Sequence, residues 1–152
     1  MKCAERLSGS FVGSSHLFPI RIYYDDTDAG GIVYHTRYMV FAEHARTEFL
    51  RLLGTEQRQL YIQQDCLFVV RRVQIEYKAS ARLDDVVIVE SSLIKVENVR
   101  VTFQQHIKKE GQVLVALVVE VALITEKGIP KRMPLPLLEA FQRIRMETAI
   151  EN

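Results

Sequence analysis

The sequence predicts an α+β domain in which a five-stranded antiparallel sheet packs against one long helix. Three observations carry this expectation. Apolar side chains recur at steps of three and four over 36–53, as on a buried helix face. On both sides of that stretch apolar and polar residues alternate singly, as on half-buried strands. Turn-forming residues separate the segments, and no linker or internal repeat divides them.

The first strand is expected over Phe18–Tyr24, where Ile20, Ile22 and Tyr24 alternate with Arg21 and Tyr23. Asp25 to Gly31 then breaks the pattern with carboxylates and a Gly-Gly pair, and reads as a loop. The long helix follows from about Thr36 to Leu53. Tyr38, Ala42, Ala45, Phe49 and Leu52 form its apolar face, and Arg37, His44, Glu48 and Arg51 fall off it. At ~1.5 Å per residue it is roughly 27 Å long, and Gly54 stops it. A weaker helix is expected near Thr55–Gln64. Four strands come next. Val73, Ile75 and Tyr77 alternate within Arg72–Lys78, and Val86 to Val89 form the apolar part of Asp85–Val96. Val101, Phe103, Gln105 and Ile107 share one face of the third, and Lys109-Glu110-Gly111-Gln112 is a turn. Val113 to Thr125 is almost wholly apolar and is expected to be covered on both faces. A last helix from Pro136 to Met146 buries Leu138, Phe141 and Ile144.

With 152 residues the chain suits one domain, and a 48% hydrophobic fraction supports a core without disulfides or metals. A net charge of +1 gives no bulk electrostatic case for nucleic acid or a membrane surface. Cys3 and Cys66 have no Cys-x-x-Cys spacing and read as free thiols of a reducing compartment. No apolar run approaches the ~20 residues that span a bilayer, and Met1 to Leu17 lacks the apolar centre of a signal peptide. The expectation is a cytoplasmic protein with a flexible, dispensable leader over 1–17 and a single domain over 18–147.

The segment Tyr24-Asp25-Asp26-Thr27-Asp28-Ala29-Gly30-Gly31-Ile32-Val33-Tyr34-His35 concentrates the chemistry. Three carboxylates precede two glycines and a helix start. A helix N-terminus favours negative charge through its free N–H groups and dipole. The same N–H groups can hold an oxyanion. Gly30 and Gly31 let the backbone approach a ligand closely. An acyl-transfer site fits this arrangement, and so does an ordinary acidic turn before a helix. A calcium loop does not fit: counted from Asp26, position five is Gly30 and position twelve is Arg37. No phosphate-binding glycine motif and no Gly-x-Ser-x-Gly elbow is present.

Tyr23 to Tyr38, followed by Phe41-Ala42-Glu43-His44-Ala45-Arg46-Thr47-Glu48, resembles the 4-hydroxybenzoyl-CoA thioesterase family of hotdog proteins. The likeness is strongest to its YbgC-type subgroup, which is associated with the Tol-Pal system. Arg72 to Lys78, Ala81 to Asp85 and Arg132-Met133-Pro134 also resemble that subgroup, so the likeness runs from about Pro19 to Ile144. The resemblance implies a hotdog fold, a sheet wrapped around a long central helix, and hydrolysis of an acyl-CoA thioester with no cofactor and no metal. It implies that Asp28 is the catalytic carboxylate, as nucleophile or as base to water. Tyr24, four residues before Asp28, and His35, seven after it, match further positions of the subgroup's site. Both also have bland readings, Tyr24 as a core aromatic at a strand end and His35 as a helix-cap or interface residue.

On this reading N–H groups near Tyr34 and His35 hold the oxyanion, and Gly31 lines the substrate path. Lys95, Arg100 and Arg82 are the candidate contacts for the coenzyme A phosphates. The resemblance implies a homodimer or homotetramer with paired sheets and short aliphatic acyl groups. An acyl carrier protein is a further candidate partner. Competing readings are a non-catalytic acyl-CoA or acyl-carrier binding module, a dehydratase of the same fold, and an envelope-associated interaction protein.

Overall fold

The computed structural model describes residues 4–151, with side chains from Arg6 to Arg145. Strands β1 (Ser10–Val12) and β2 (Ser15–Arg21) precede helices α1 (Arg37–Leu52) and α2 (Gln57–Gln64). Strands β3 (Leu67–Tyr77), β4 (Val86–Val96), β5 (Arg100–Lys109) and β6 (Gln112–Ile124) follow, and α3 (Leu135–Glu151) closes the chain. The strands form one antiparallel sheet in the order β1-β2-β4-β5-β6-β3. Five of them are the expected sheet; the short β1 is the sixth.

Helix α1 lies on the sheet because its apolar face matches the inward register of the strands. Tyr38, Phe41, Ala42, Ala45, Phe49 and Leu50 are buried. Opposite them, Val101, Phe103 and Ile107 of β5 and Leu117, Val119 and Val121 of β6 are buried too. Phe49 is wholly enclosed, edge-on to Phe103 at 5.2 Å; burying such a side chain contributes roughly 1.5–3 kcal/mol. Leu52, expected on this face, is 41% exposed, because the 3.6-residue period carries the stripe from Phe49 to Leu50 and Leu53.

The flexible leader expected over 1–17 is corrected for its described part. Ala4–Ser8 forms a 3-10 turn, and β1 and β2 form a hairpin that extends the sheet beside β4. Phe11 packs edge-on against Phe49 at 5.0 Å, and His16 is fully buried between them and Phe18. Ser8 Oγ donates to Glu48 Oε2 at 2.6 Å, tying this segment to α1. Ser and Gly content hid a short hairpin whose apolar residues are few. Cys3, read as a free thiol, lies outside the described residues; Cys66 is buried and has no disulfide partner among the described residues.

Strand β3 begins five residues earlier than the expected Arg72. Its register slips between Val70 and Arg72. That bulge reverses the alternation, so Leu67–Val70 looks out of phase with Val73–Tyr77 in the sequence. β6 buries Leu117, Val119, Val121 and Leu123 on its helix side, while its other face is only half-buried, short of the full cover expected. α3 packs on β4 and buries Leu137 and Phe141; Leu138 and Ile144 are partly buried. Among the described residues no helix is long and apolar enough to cross a membrane.

Candidate active site

Between β2 and α1 the acidic segment folds into two stacked turns. In the first, Tyr24–Asp26, the Asp26 carboxylate accepts the Tyr23 N–H at 2.8 Å on Oδ2. Arg37, the first residue of α1, donates to Oδ1 from Nε at 2.9 Å and Nη2 at 2.8 Å. The Asp26 carbonyl accepts the Tyr34 N–H at 2.9 Å. Asp26 is 4% exposed, so it is a structural anchor and not a group that meets substrate.

The second turn carries Asp28. The Asp28 N–H donates to the Ile32 carbonyl at 3.0 Å, and the Gly31 N–H donates back to the Asp28 carbonyl at 3.0 Å. Gly31 takes φ +78°, a left-handed conformation that closes the turn and that glycine adopts without penalty. The Gly30 N–H donates to Asp28 Oδ1 at 2.8 Å, the local bond by which Asp favours turns. That leaves Asp28 Oδ2 with no partner among the described residues, on an exposed side chain.

The connection from β3 to β4 lies alongside. Ile32 bridges Arg82, and the Val33 N–H donates to the Ala81 carbonyl at 2.9 Å. Asp28, His35, Tyr38, Tyr77, Lys78 and Ser80 surround one open cavity of about 320 Å³. Tyr77 Oη donates to the His35 carbonyl at 3.1 Å. The His35 ring stands edge-on to Tyr34 at 4.6 Å and to Tyr77 at 6.2 Å. Tyr38 Oη accepts the Ala81 N–H at 3.0 Å, and burial raises its pKa, so it stays a neutral phenol.

Of the residues singled out in the sequence, Asp28 and His35 share this cavity. Gly31 closes the turn beneath it, and its N–H is already used. Tyr34 is 45% exposed, and its N–H is held by Asp26, so it cannot hold an oxyanion; this corrects the expectation for Tyr34. The His35 N–H has no acceptor among the described residues. Tyr24 is 82% exposed and does not line the cavity.

Arg100 lines a different cavity, with Val70, Arg71 and Ile124. It pairs with Glu120 at 3.4 Å and Glu97 at 3.8 Å, and Lys95 pairs with Glu97 at 3.5 Å. Ile107 of β5, Val115 of β6 and Tyr77 of β3 are cross-strand partners, so Arg100 sits seven residues along β5 from the Asp28 end. At ~3.3 Å per residue that is roughly 23 Å. Within one chain, then, Arg100 and Lys95 are not brought to Asp28. Lys78 is, and Arg82 is nearby: its Nη1 lies 4.0 Å from where a side chain on Gly31 would begin. Tyr77, Lys78 and Ser80 escaped the sequence reading because β3 looks like any half-buried strand, and only pairing brings its end to the Asp28 loop. Among the described residues no three His, Cys, Asp or Glu side chains gather as metal ligands.

One long helix laid on an antiparallel sheet is a hotdog fold, the carboxylate and helix start on its open cavity suit acyl-transfer chemistry, and the comparisons place the chain. It belongs to the thioesterase superfamily, whose model matches residues 30–116. It is 40% identical over 129 residues to the acyl-CoA thioesterase YbgC of Haemophilus influenzae, covering 84% of this chain and 95% of that protein. The acyl-CoA thioester hydrolase YbgC of Escherichia coli O157:H7 is 37% identical, with 83% and 95% covered. Among solved structures, a probable thioesterase from Bartonella henselae superposes with a TM-score of 0.77 at 36% identity, over 79% of this chain and 99% of that one. A DHNA-CoA thioesterase from Staphylococcus aureus, 22% identical with a TM-score of 0.84 over 91% and 95%, shares the fold.

Proposed function

We propose that this chain hydrolyses the thioester of acyl-CoA to the free acid and coenzyme A, with Asp28 as its working carboxylate. The observation that carries the reading is the free Asp28 Oδ2 on the cavity that His35 also lines, His35 having an unpaired N–H. In one route Asp28 removes a proton from water, and the oxygen adds to the carbonyl carbon. The C–S bond then breaks and thiolate leaves. In the other, Asp28 itself adds, thiolate leaves, and water hydrolyses the mixed anhydride. In both, the His35 N–H is the donor for the developing oxyanion. The family membership and the two YbgC relatives support the acyl-CoA substrate. Short aliphatic acyl groups are the proposed class.

The pantetheine and nucleotide are proposed to leave past Lys78 and Arg82, whose charges face this end. Arg100, Lys95 and Tyr24 can take part only from a second copy. Among the described residues the outer edge of β3 has no strand partner, and Val70 and Tyr77 beside it are 49% and 46% exposed. Such an edge invites a second β3, which supports a homodimer in which the cavity is completed at the seam. Free-thiol release from a panel of acyl-CoAs tests the activity. Asp28→Asn is expected to cut turnover by about 10²–10⁴-fold with the fold intact. Full activity in that variant would remove Asp28 from the mechanism.

A further inference from the structure

The two edges of the sheet differ. β1 is three residues long, whereas β3 has eleven and no proline. A long unguarded edge is a template for a further strand, and the side chains along this one match a second copy of β3. On the face away from α1, Arg72, Gln74 and Glu76 succeed one another, all exposed. Among the described residues the Arg72 and Glu76 side chains form no ion pair and no hydrogen bond. On the helix side, Val70 and Tyr77 are the exposed apolar side chains of the strand.

The rows of β6 measure these positions and absorb the bulge at Arg71. Gln74 pairs with Val118. Arg72 and Glu76 pair with Glu120 and Ala116, two rows to either side of it. Val70 and Tyr77 pair with Val121 and Val115, three rows to either side. A two-fold axis through the sheet at Gln74 therefore sets Arg72 of each copy across from Glu76 of the other, twice over. It also sets Val73 across from Ile75 and Val70 across from Tyr77, apolar against apolar on the helix side. Opposite charges directly across antiparallel strands attract, and like charges repel.

Other centres lose this match. Side chains across a sheet share a face, so the axis passes through a residue and not between two. Centred on Ile75, Arg72 meets Lys78, a like charge; centred on Val73, Arg72 meets Gln74 and Glu76 meets Val69. The Gln74 centre also completes the Asp28 cavity. Tyr77 lines that cavity from the last strand, and the sheet ends there. A neighbouring strand lies about 4.8 Å away, which brings Val70 of the second copy against Tyr77 at the cavity rim. Within one chain Val70 lines other cavities, neither of which contains Asp28.

We propose that two copies join their β3 edges about Gln74, locked by two Arg72–Glu76 pairs, and that Val70 of the second copy walls the Asp28 cavity and limits the acyl chain it accepts; the last step rests on the thioesterase reading. A wall beside Tyr77 agrees with short acyl groups.

Arg72→Glu and Glu76→Arg each put two like-charge pairs at the seam. Each is expected to raise the dimer dissociation constant at least about tenfold, read by analytical ultracentrifugation. Mixing the two variants sets opposite charges across from each other at both pairs, so wild-type affinity is expected to return in the heterodimer. No loss in either variant, or no recovery on mixing, overturns the register. Should a variant fail to fold, Gln74→Cys reads the register independently. Its Cα atoms would face each other at about 4.5–5.5 Å, within disulfide reach, and oxidised glutathione is expected to link it into dimers that wild type and Ile75→Cys do not form. A Gln74→Cys protein that stays unlinked overturns the register. With the dimer intact, Val70→Ala is expected to raise kcat/KM for hexanoyl-CoA relative to acetyl-CoA at least about threefold. An unchanged ratio overturns the wall and leaves the thioesterase reading standing. No thiol release from any acyl-CoA overturns that reading and the wall together, while mass and cross-linking decide the register.

Discussion

Arg37 grips Asp26 through two donors on a single oxygen, Nε at 2.9 Å and Nη2 at 2.8 Å from Oδ1. The pair joins the first residue of α1 to the turn that precedes Asp28. Asp26 also accepts the Tyr23 N–H, and its carbonyl accepts the Tyr34 N–H. One buried residue therefore fixes the entry to the Asp28 turn from three sides.

Removing either partner leaves the other with unmet polar groups. Asp26→Ala is expected to destabilise the fold by about 1–3 kcal/mol. Arg37→Met should cost at least as much, since it leaves the Asp26 carboxylate, 5% exposed, without its cation, whereas the guanidinium left by Asp26→Ala is one-third exposed and water can reach it. Urea unfolding of both variants checks the order. An Asp26→Ala protein as stable as wild type would show that the pair does not hold the loop.

Adjacent glycines are expected to fail in different ways. Gly31 at φ +78° cannot become alanine without left-handed strain of about 1–2 kcal/mol. Gly30 has no such φ, but a Cβ there would sit 3.1 Å from Asp28 Oδ1. Gly31→Ala should lower the unfolding midpoint. Gly30→Ala should lower thiol release with a smaller change in stability. Measuring both quantities on both variants separates the roles, and a matching loss of stability in the two would refute the distinction.

Tyr77 and Tyr24 offer a similar contrast. Tyr77 donates to the His35 carbonyl and lines the Asp28 cavity; Tyr24 points to solvent in the single chain. Tyr77→Phe removes one hydrogen bond, worth about 0.5–1.5 kcal/mol, and is expected to reduce kcat several-fold. Tyr24→Phe is expected to reduce activity through a second copy that brings Tyr24 to the cavity, in which case the wild-type kcat falls on dilution towards that of the variant; a Tyr24→Phe protein of full activity would exclude this role.

His16 should make the fold acid-sensitive. Its Nε2 bonds the Ser8 carbonyl at 2.7 Å, while Nδ1 is buried with no partner among the described residues. Burial pushes its pKa below 6.5, outweighing the Ser8 carbonyl and Glu48, which push it up. The unfolded chain therefore binds this proton more readily than the folded one. The contribution is fully present above about pH 6.5 and is lost as pH falls towards the lower folded value. Urea unfolding from about pH 8 to about pH 5 should show a falling midpoint, flattened in His16→Phe. An unchanged slope in that variant would clear His16 of the effect.

The sequence by itself determined the elements whose signal is local. The α1 stripe, the alternation of β5 and the Asp-rich turn before a helix are all properties of neighbouring residues, governed by the helix and strand periods. Asp28 and His35, singled out by the resemblance, lie seven residues apart in one segment, and both line one cavity. Tertiary structure alone decided what depends on pairing. The bulge after Val70 hid the first half of β3, and the few apolar residues of 10–17 hid a hairpin that closes over Phe49. Tyr77 and Lys78 line the Asp28 cavity, and Arg100 and Lys95 do not, because strand register and not sequence distance sets which strand ends meet. The Tyr34 N–H is spent for the same reason: only the folded turn brings it to the Asp26 carbonyl.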